Sequence, residues 1–177
     1  MFPKVTLVLG GISSGKSDFA EKLTLQSGLN AVYLASAQAH DPEMRAKIER
    51  HRSLRDARWQ TIEEPLDAAR ILENAPATDI VLFDCATLWL TNHLLGSSDL
   101  PREQDRLMAA ITTCLAHVVI VSNDVGQGGV SENKMARRFA MAQGKLNQSL
   151  AKNADLAVMV VAGLPMALKG ELPTGAA

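Results

Sequence analysis

The chain has 177 residues, of which 47% are hydrophobic and 21% are charged. This length and composition are typical of one folded domain spanning residues 1–177, and they exclude a disordered or fibrous chain. Nineteen acidic and eighteen basic residues leave a net charge of −1, without the basic excess of a nucleic-acid surface, so nucleic acid is not an expected partner.

Short apolar runs and helical stretches alternate along the chain. The runs rich in β-branched residues are 5–9, 31–35, 80–83, 118–122 and 157–161, and each is nearly all apolar, as in strands covered on both faces. Helices are predicted at 16–26, 42–55, 66–74, 102–116 and 132–152. This alternation predicts an α/β fold in which helices flank a mostly parallel central sheet.

The last predicted helix carries an apolar stripe at spacings of three and four residues. Ser131 is the predicted N-cap of this helix. The stripe consists of Met135, Phe139, Ala142, Leu146 and Leu150. Such a stripe predicts a helix face that packs into the core.

Hydropathy and cysteine content bear on the compartment. The longest strongly apolar run, 156–168, contains Gly163 and Pro165 and is shorter than the roughly 20 residues that span a bilayer. The apolar run after Lys4 is too short for a secretion signal. Cys85 and Cys114 share no metal-ligand spacing, so buried thiols are expected, with a zinc or redox site as the alternative. We therefore expect a cytoplasmic protein without a membrane span.

Residues 10–17 read Gly-Gly-Ile-Ser-Ser-Gly-Lys-Ser and fit the phosphate-loop pattern G-x-x-x-x-G-K-[ST] between a strand and a helix. Glycines let backbone N–H groups and a helix N-terminus surround a phosphate. Lys16 adds a charge near the β and γ phosphates, and the Ser17 hydroxyl can complete a Mg²⁺ shell. The predicted nucleotide-binding residues are Gly10, Gly11, Ile12, Ser13, Ser14, Gly15, Lys16 and Ser17.

Two aspartates follow predicted strands. Asp84 ends the run 80–83 and is the candidate for the Mg²⁺ side of the site, although an apolar run ending in aspartate is also a common structural feature. Asp124 follows the next strand, at the sheet edge where parallel sheets bind ligands. It can orient an acceptor or simply form a turn before Gly126, and the sequence leaves both readings open.

His51 lies in a basic segment. Six cations fall within fourteen residues around it: Arg45, Lys47, Arg50, Arg52, Arg55 and Arg58. Neighbouring cations favour the neutral imidazole that a nucleophile requires. A solvated basic helix with a partly buried histidine is the alternative, and this segment alone does not decide. His40, His93 and His117 are interpreted as structural.

Blocks of sequence along most of the chain carry a family resemblance. They are 10–17, 33–38, 41–44, 48–52, 59–63, 84–92, 122–126 and 132–148. In order and spacing the chain resembles the bifunctional adenosylcobinamide kinase/adenosylcobinamide-phosphate guanylyltransferase family of cobalamin biosynthesis. Asp124 stands where family members often have glutamate, and Ala37 replaces a common serine.

The resemblance implies two reactions that use Mg²⁺. ATP or GTP phosphorylates adenosylcobinamide, and GMP then passes from GTP to that phosphate through a guanylylated histidine, which is His51 by position. The resemblance also implies a RecA-like, three-layer P-loop NTPase fold and a homo-oligomer, commonly a trimer. Beyond the phosphate loop, the implied nucleotide contacts are Ala35, Ser36, Ala37, Arg52, Ser53, Leu54, Arg55, Glu63 and Asp84. The implied metal-side residues are Ser17 and Asp84.

Two other functions remain to be weighed. An ordinary small-molecule P-loop kinase would use Lys16, Ser17, Asp84 and Asp124 without a histidine adduct. A GTP-driven switch or RecA-like motor is disfavoured, because the guanine-reading N-K-x-D is missing after Asn133 and a basic strand-binding surface is lacking.

Overall fold

A computed structural model describes residues 2–38, 56–126 and 129–175. Its centre is a seven-stranded sheet. In chain order the strands are β1 (Val5–Gly10), β2 (Asn30–Ala35), β3 (Trp59–Glu63), β4 (Asp79–Asp84), β5 (His117–Asn123), β6 (Leu156–Val161) and β7 (Leu164–Lys169). The spatial order is β3-β2-β4-β5-β1-β6-β7. Neighbouring strands are parallel except for the antiparallel pair β6 and β7.

The described residues form five helices. They are α1 (Lys16–Gln26), α2 (Ala68–Glu73), α3 (Ala86–Leu95), α4 (Leu100–Thr113) and α5 (Lys134–Asn153). Asp67 and Asp99 cap α2 and α4, because their side chains accept hydrogen bonds from the backbone amides of Arg70 and Arg102. The predicted helix at 42–55 lies outside the described residues.

Alternation along the strands divides the core into two layers. On one face, Leu7, Leu34 and Phe83 pack with side chains of α2 to α5. On the other face, Val8 and Leu82 pack with side chains of α1. Buried strands alternate in this way because successive side chains point to opposite faces of a sheet. The predicted α/β sandwich with a mostly parallel central sheet is thereby confirmed.

The five predicted strands are all present, but the sequence missed β3, β7 and α3. Both missed strands lie at the edges of the sheet and are largely exposed. β3 lacks the apolar run of a central strand, whereas β7 forms the end of the apolar run 156–168, of which only 157–161 was predicted as a strand. The predicted N-cap of the last helix was also wrong. Asn133 caps α5 by accepting hydrogen bonds from the amides of Met135 and Ala136, at 2.8 and 3.2 Å.

The apolar stripe on α5 becomes progressively more buried along the helix, with Phe139 and Ala142 half-buried against the core. Leu146 and Leu150 are buried, whereas Met135 is 72% exposed. The first half of α5 instead borders an open groove, where Met135 and Phe139 face Leu94 and Leu95. Helical periodicity identifies an apolar face but not how far along the helix a neighbour covers it. Within the described ranges, no helix is long and apolar enough to cross a membrane.

Candidate nucleotide-binding site

The predicted phosphate loop connects the buried strand β1 to α1 at the carboxyl edge of the sheet. The Ser14 amide donates to the Gly11 carbonyl at 3.3 Å and closes a turn. Gly15 is the N-cap of α1, with φ of 89°, and no side chain caps the first amides of the helix. Exposed amides at a helix N-terminus, together with the helix dipole, form a site that favours an anion.

Close packing explains two of the glycines. A Cβ on Gly10 would collide with Ser14 Oγ and lie 2.8 Å from the carbonyl oxygen of Val160. A Cβ on Gly15 would lie 3.0 Å from Cα of Gly163, in the turn between β6 and β7. The Gly163 amide also donates to the Ser14 carbonyl at 2.8 Å. The phosphate loop therefore rests directly on the β6–β7 turn.

The side chains of the loop have the chemistry that a phosphate and a hard cation require. Lys16 Nζ donates to the Gly11 carbonyl at 3.0 Å, which places the ammonium over the loop. Ser14 Oγ is buried with no hydrogen-bond partner among the described residues, and a buried polar atom is normally satisfied. The Ser17 hydroxyl and the Asp84 carboxylate supply hard oxygen atoms of the kind that Mg²⁺ prefers. These residues fit a Mg²⁺-bound polyphosphate.

Asp84 ends β4 and is oriented by a neighbouring strand. Tyr33 on β2 is buried, and its hydroxyl donates to Asp84 Oδ2 at 2.7 Å. Trp59 on β3 packs edge-to-face against Tyr33, with ring centroids 5.7 Å apart. Because Ala35 is paired with Asp84 in register, Tyr33 lies two residues back on the same face. Sequence reasoning missed this contact, since it depends on which strands are neighbours and in what register.

Three predicted contacts end adjacent strands in one row. Ala35 pairs with Glu63 on one side and with Asp84 on the other. Ser36, the next residue, is buried, and its hydroxyl accepts from the Cys85 amide at 2.9 Å and donates to the Cys85 carbonyl at 2.7 Å. The Ser36 hydroxyl thus anchors the chain after β4, and its nucleotide-binding role stays a prediction.

Asn92 is a further organising residue that sequence reasoning left without a role. Its side-chain amide donates to the Ser36 carbonyl at 2.8 Å and to the Pro65 carbonyl at 2.9 Å. The segments that follow β2 and β3 are thereby tied to α3. Its only sequence signal is its place at the end of the 84–92 block.

The basic segment is described only in part. His51, Arg52, Ser53, Leu54 and Arg55 lie outside the described residues. Arg58 forms an exposed ion pair with Asp56, and the hydrogen bonds from Arg58 lower the pKa of Asp56 to about 2. The histidine assignment therefore stays a prediction.

Cysteine chemistry is confined to two buried thiols, as predicted. Burial, followed by the nearby charge of Asp84, raises the pKa of Cys85 to about 12. Burial also raises the pKa of Cys114. Both thiols are neutral at physiological pH and are poor nucleophiles. Across the described ranges, no three His, Cys, Asp or Glu side chains cluster as a metal site.

Comparison with known proteins shows the family of the chain. A family model described as cobinamide kinase / cobinamide phosphate guanyltransferase (CobU) matches residues 6–168. The chain belongs to this family. Its relatives include the bifunctional adenosylcobalamin biosynthesis protein CobP of Pseudomonas aeruginosa, 45% identical over 170 residues and covering 93% of this chain and 97% of that protein. The corresponding CobU of Salmonella typhimurium is 38% identical over 180 residues, covering 92% of this chain and 98% of that protein.

Solved structures agree on the architecture of this CobU-family chain. The RadB recombinase superposes with a TM-score of 0.50 at 17% identity, covering 88% of this chain and 73% of that chain. A Pyrococcus horikoshii protein superposes with a TM-score of 0.52 at 9% identity, covering 96% of this chain and 87% of that chain. At such identities the likeness shows the fold alone. The RecA-like arrangement predicted from the resemblance is confirmed.

Proposed function

We propose that the chain catalyses both reactions for which its family is named: phosphorylation of adenosylcobinamide, then transfer of GMP from GTP to the resulting phosphate. The observation that carries this proposal is the uncapped N-terminus of α1 with Lys16 over the loop and the Tyr33-held Asp84 at the same sheet edge, in a chain of this family. One phosphate site then serves both steps within a single domain of 177 residues.

In the kinase step, the hydroxyl oxygen of the corrinoid side chain attacks the γ-phosphorus of ATP or GTP. The bond from that phosphorus to the β–γ bridging oxygen breaks, and ADP or GDP leaves. The loop amides and Lys16 hold the phosphates in line with the acceptor. Ser17 and Asp84 would hold Mg²⁺, which, when bound, neutralises charge on the phosphate oxygens.

In the transferase step, we assign the nucleophile to His51. Its neutral imidazole attacks the α-phosphorus of GTP, a P–N bond forms and pyrophosphate leaves. The corrinoid phosphate then attacks the same phosphorus and releases the imidazole. The family resemblance supports this assignment, as do the neighbouring Arg52 and Arg55, which would stabilise the leaving pyrophosphate.

The deciding experiment is labelling of the protein with GTP that carries the label at its α-phosphate. We expect the wild type to retain label after denaturation, on His51, and to lose it in acid but not in alkali, because protonation of the nitrogen weakens a P–N bond. His51→Ala should lose the label and guanylyl transfer, yet keep corrinoid phosphorylation. The matched control is His117→Ala, since His117 begins β5 at the opposite end of the sheet and bonds the Pro3 carbonyl at 2.8 Å.

Each of the other outcomes of this labelling experiment would support a different conclusion. Label on another residue, or stable labelling of His51→Ala, would remove His51 as the nucleophile. A wild type that phosphorylates the corrinoid without ever carrying label would be an ordinary P-loop kinase. Nucleotide hydrolysis without any corrinoid product would point to a switch or motor.

We also propose that the chain assembles as a homo-oligomer, with the trimer common in the family as the expected form. The edge strand β7 supports this proposal. Leu164 and Met166 alternate along it, Leu168 lies at an irregularity in its pairing with β6, and the three are 72%, 56% and 54% exposed. A second copy of the chain is the proposed partner of this strand, because Lys169 is the single charge on the strand and an apolar edge strand is prone to pair with the same strand of another copy.

The state of the cysteines bears on the compartment. The two buried free thiols are consistent with the reducing cytosol.

A further inference from the structure

On its β4 side, the carboxyl end of β5 is held by side chains rather than by a strand, whereas on its other side it pairs with β1 as far as Gly10 and Asn123. The pairing of β4 with β5 ends at Asp84 and Val121, whereas β5 continues to Asn123. Beyond that point, Thr87 Oγ1 on α3 accepts from the Asn123 amide at 2.8 Å. Asn147 Nδ2 on α5 donates to the Asn123 carbonyl at 3.0 Å. Two helices thus satisfy the backbone groups that a sheet neighbour would otherwise bind.

The amide of Asn147 is itself oriented by buried partners. Its Oδ1 accepts from Ser122 Oγ at 2.7 Å and from Gln143 Nε2 at 2.9 Å. Ser122 and Gln143 are fully buried. If the Asn147 side-chain amide were rotated by 180°, its Nδ2 would face the Gln143 Nε2 donor and its Oδ1 would face the Asn123 carbonyl. Both contacts would lose their hydrogen bonds, and an unpaired buried polar group costs free energy. The donating end of Asn147 is therefore directed at Asn123.

This cluster lies one residue away from the phosphate loop. The amide of Asp124 donates to the carbonyl of Gly10 at 3.1 Å. Gly10 is closely packed, because a Cβ added to it would collide with Ser14 Oγ and lie 2.8 Å from the carbonyl oxygen of Val160. The Asp124 backbone is thus clamped between the first loop glycine on one side and the Asn123 anchor on the other.

We propose that Asn147 is a positioning residue for the kinase step, which holds the Asn123 backbone so that the Asp124 carboxylate orients the acceptor hydroxyl beside the phosphate loop. This inference rests on the proposed function. The Asp124 carboxylate also accepts a hydrogen bond from the Gly126 amide at 3.4 Å, as the turn interpretation predicts, and the proposal adds an acceptor-orienting role to that turn. Because in-line attack demands accurate placement, a shift of about 1 Å at such a group can cost roughly 100-fold in rate.

The anchoring can be tested without catalysis, by hydrogen–deuterium exchange of Asn147→Ala. We expect the amides of Asn123 and Asp124 to exchange about tenfold faster than in the wild type, while the rest of β5 is unchanged. The matched control is Asn153→Ala on the same helix, whose amide donates to the Ser149 carbonyl at 2.8 Å. Unchanged exchange at Asn123 and Asp124 would overturn the proposal.

The catalytic consequence is tested by kinetics in two backgrounds. Asn147→Ala should lower kcat of corrinoid phosphorylation about tenfold or more and leave KM for the nucleotide within about twofold. In an Asp124→Asn background, the same substitution should have little further effect, because both residues act through one group. An equal loss in both backgrounds, or an unchanged kcat, would overturn the proposal. A wild type without corrinoid phosphorylation would refute the proposed function instead, while exchange would still decide the anchor.

Discussion

At the scale of single residues, the candidate site contains groups that we propose to bind phosphate and groups that hold these in place. Lys16 lies over the phosphate loop, and Asp84 faces the same sheet edge from β4. Tyr33 and Asn92 lie behind them and bond a carboxylate and two loop carbonyls. Substitutions in the two groups should therefore have different effects. A substitution of Lys16 or Asp84 removes a charge proposed to act on the nucleotide, whereas a substitution of Tyr33 or Asn92 removes a hydrogen bond that positions the site.

Lys16→Ala should abolish kinase activity and severely weaken guanylyl transfer, because both reactions need the triphosphate held by one loop. Steady-state assays of both steps test this, with circular dichroism to confirm folding. Lys22→Ala is the matched control, since Lys22 is an exposed lysine on the same helix. Full retention of either activity in Lys16→Ala would mean that a second nucleotide site performs that step.

Tyr33→Phe removes one hydroxyl and should lower kcat about tenfold, because Asp84 loses the donor that orients it.

Asp84→Asn, which keeps the shape but removes the charge, should lower turnover further than Tyr33→Phe does. Both variants should keep the fold. In a Mg²⁺ titration, each should need a higher Mg²⁺ concentration than the wild type to reach half of its maximal rate. If Mg²⁺ dependence and rate stay unchanged in Asp84→Asn, Asp84 is a strand-end cap and Tyr33 has no functional partner.

At the scale of elements, the β6–β7 turn contacts the phosphate loop although it contributes no charged group. Ala162 and Gly163 both have positive φ, of 53° and 79°, and this tight turn brings the Gly163 amide to the Ser14 carbonyl. The β6–β7 hairpin therefore supports the phosphate loop through a backbone hydrogen bond.

Gly163→Ala is expected to weaken nucleotide binding severalfold and to cost about 1 kcal/mol of stability, because an alanine at positive φ strains the turn. Gly28→Ala is a matched control. Gly28 has φ of 71° and, like Gly163, open space where a Cβ would lie, but it follows α1 at the far end from the loop. Thermal unfolding should show similar losses for both, while calorimetric titration with GTP separates them. Equal nucleotide affinity in the two variants would contradict a role for the turn.

At the scale of the whole molecule, the described part of the chain covers both faces of the sheet at its centre and leaves the edge strands β3 and β7 largely exposed. The central strands are almost wholly buried, whereas β7 exposes most of its length. Since β7 continues from the turn that contacts the phosphate loop, an assembly through this edge would lie close to the nucleotide site. An isolated edge strand of this length is otherwise a liability for a folded protein.

Met166→Lys should shift the wild-type oligomer toward monomer, because a charge would be buried at the proposed contact between copies. Sedimentation velocity over a range of concentrations measures this. Leu115→Lys is the control, since Leu115 is a comparably exposed leucine in the turn before β5. A wild-type protein that sediments as a monomer would refute the homo-oligomer. An intact oligomer in Met166→Lys would place the contact elsewhere.

The sequence by itself predicted what depends on local chemistry. The glycines and lysine of residues 10–17 predicted a phosphate loop, because that backbone turn needs those residue types wherever it occurs. Apolar runs predicted β1, β2, β4, β5 and β6, because a strand buried on both faces has to be apolar throughout. Family blocks supplied His51, which spacing and charge alone did not distinguish from a solvated basic helix.

Only the tertiary structure decided which groups meet. The Tyr33–Asp84 bond follows from the register of β2 against β4. The Asn147 anchor exists because β4 ends two residues before β5 does. The position of β7 at the edge of the sheet and the exposure of Met135 on α5 follow from where the other described elements pack. Sequence patterns report what one segment prefers, whereas contacts between segments distant in the chain are set by how the whole fold packs.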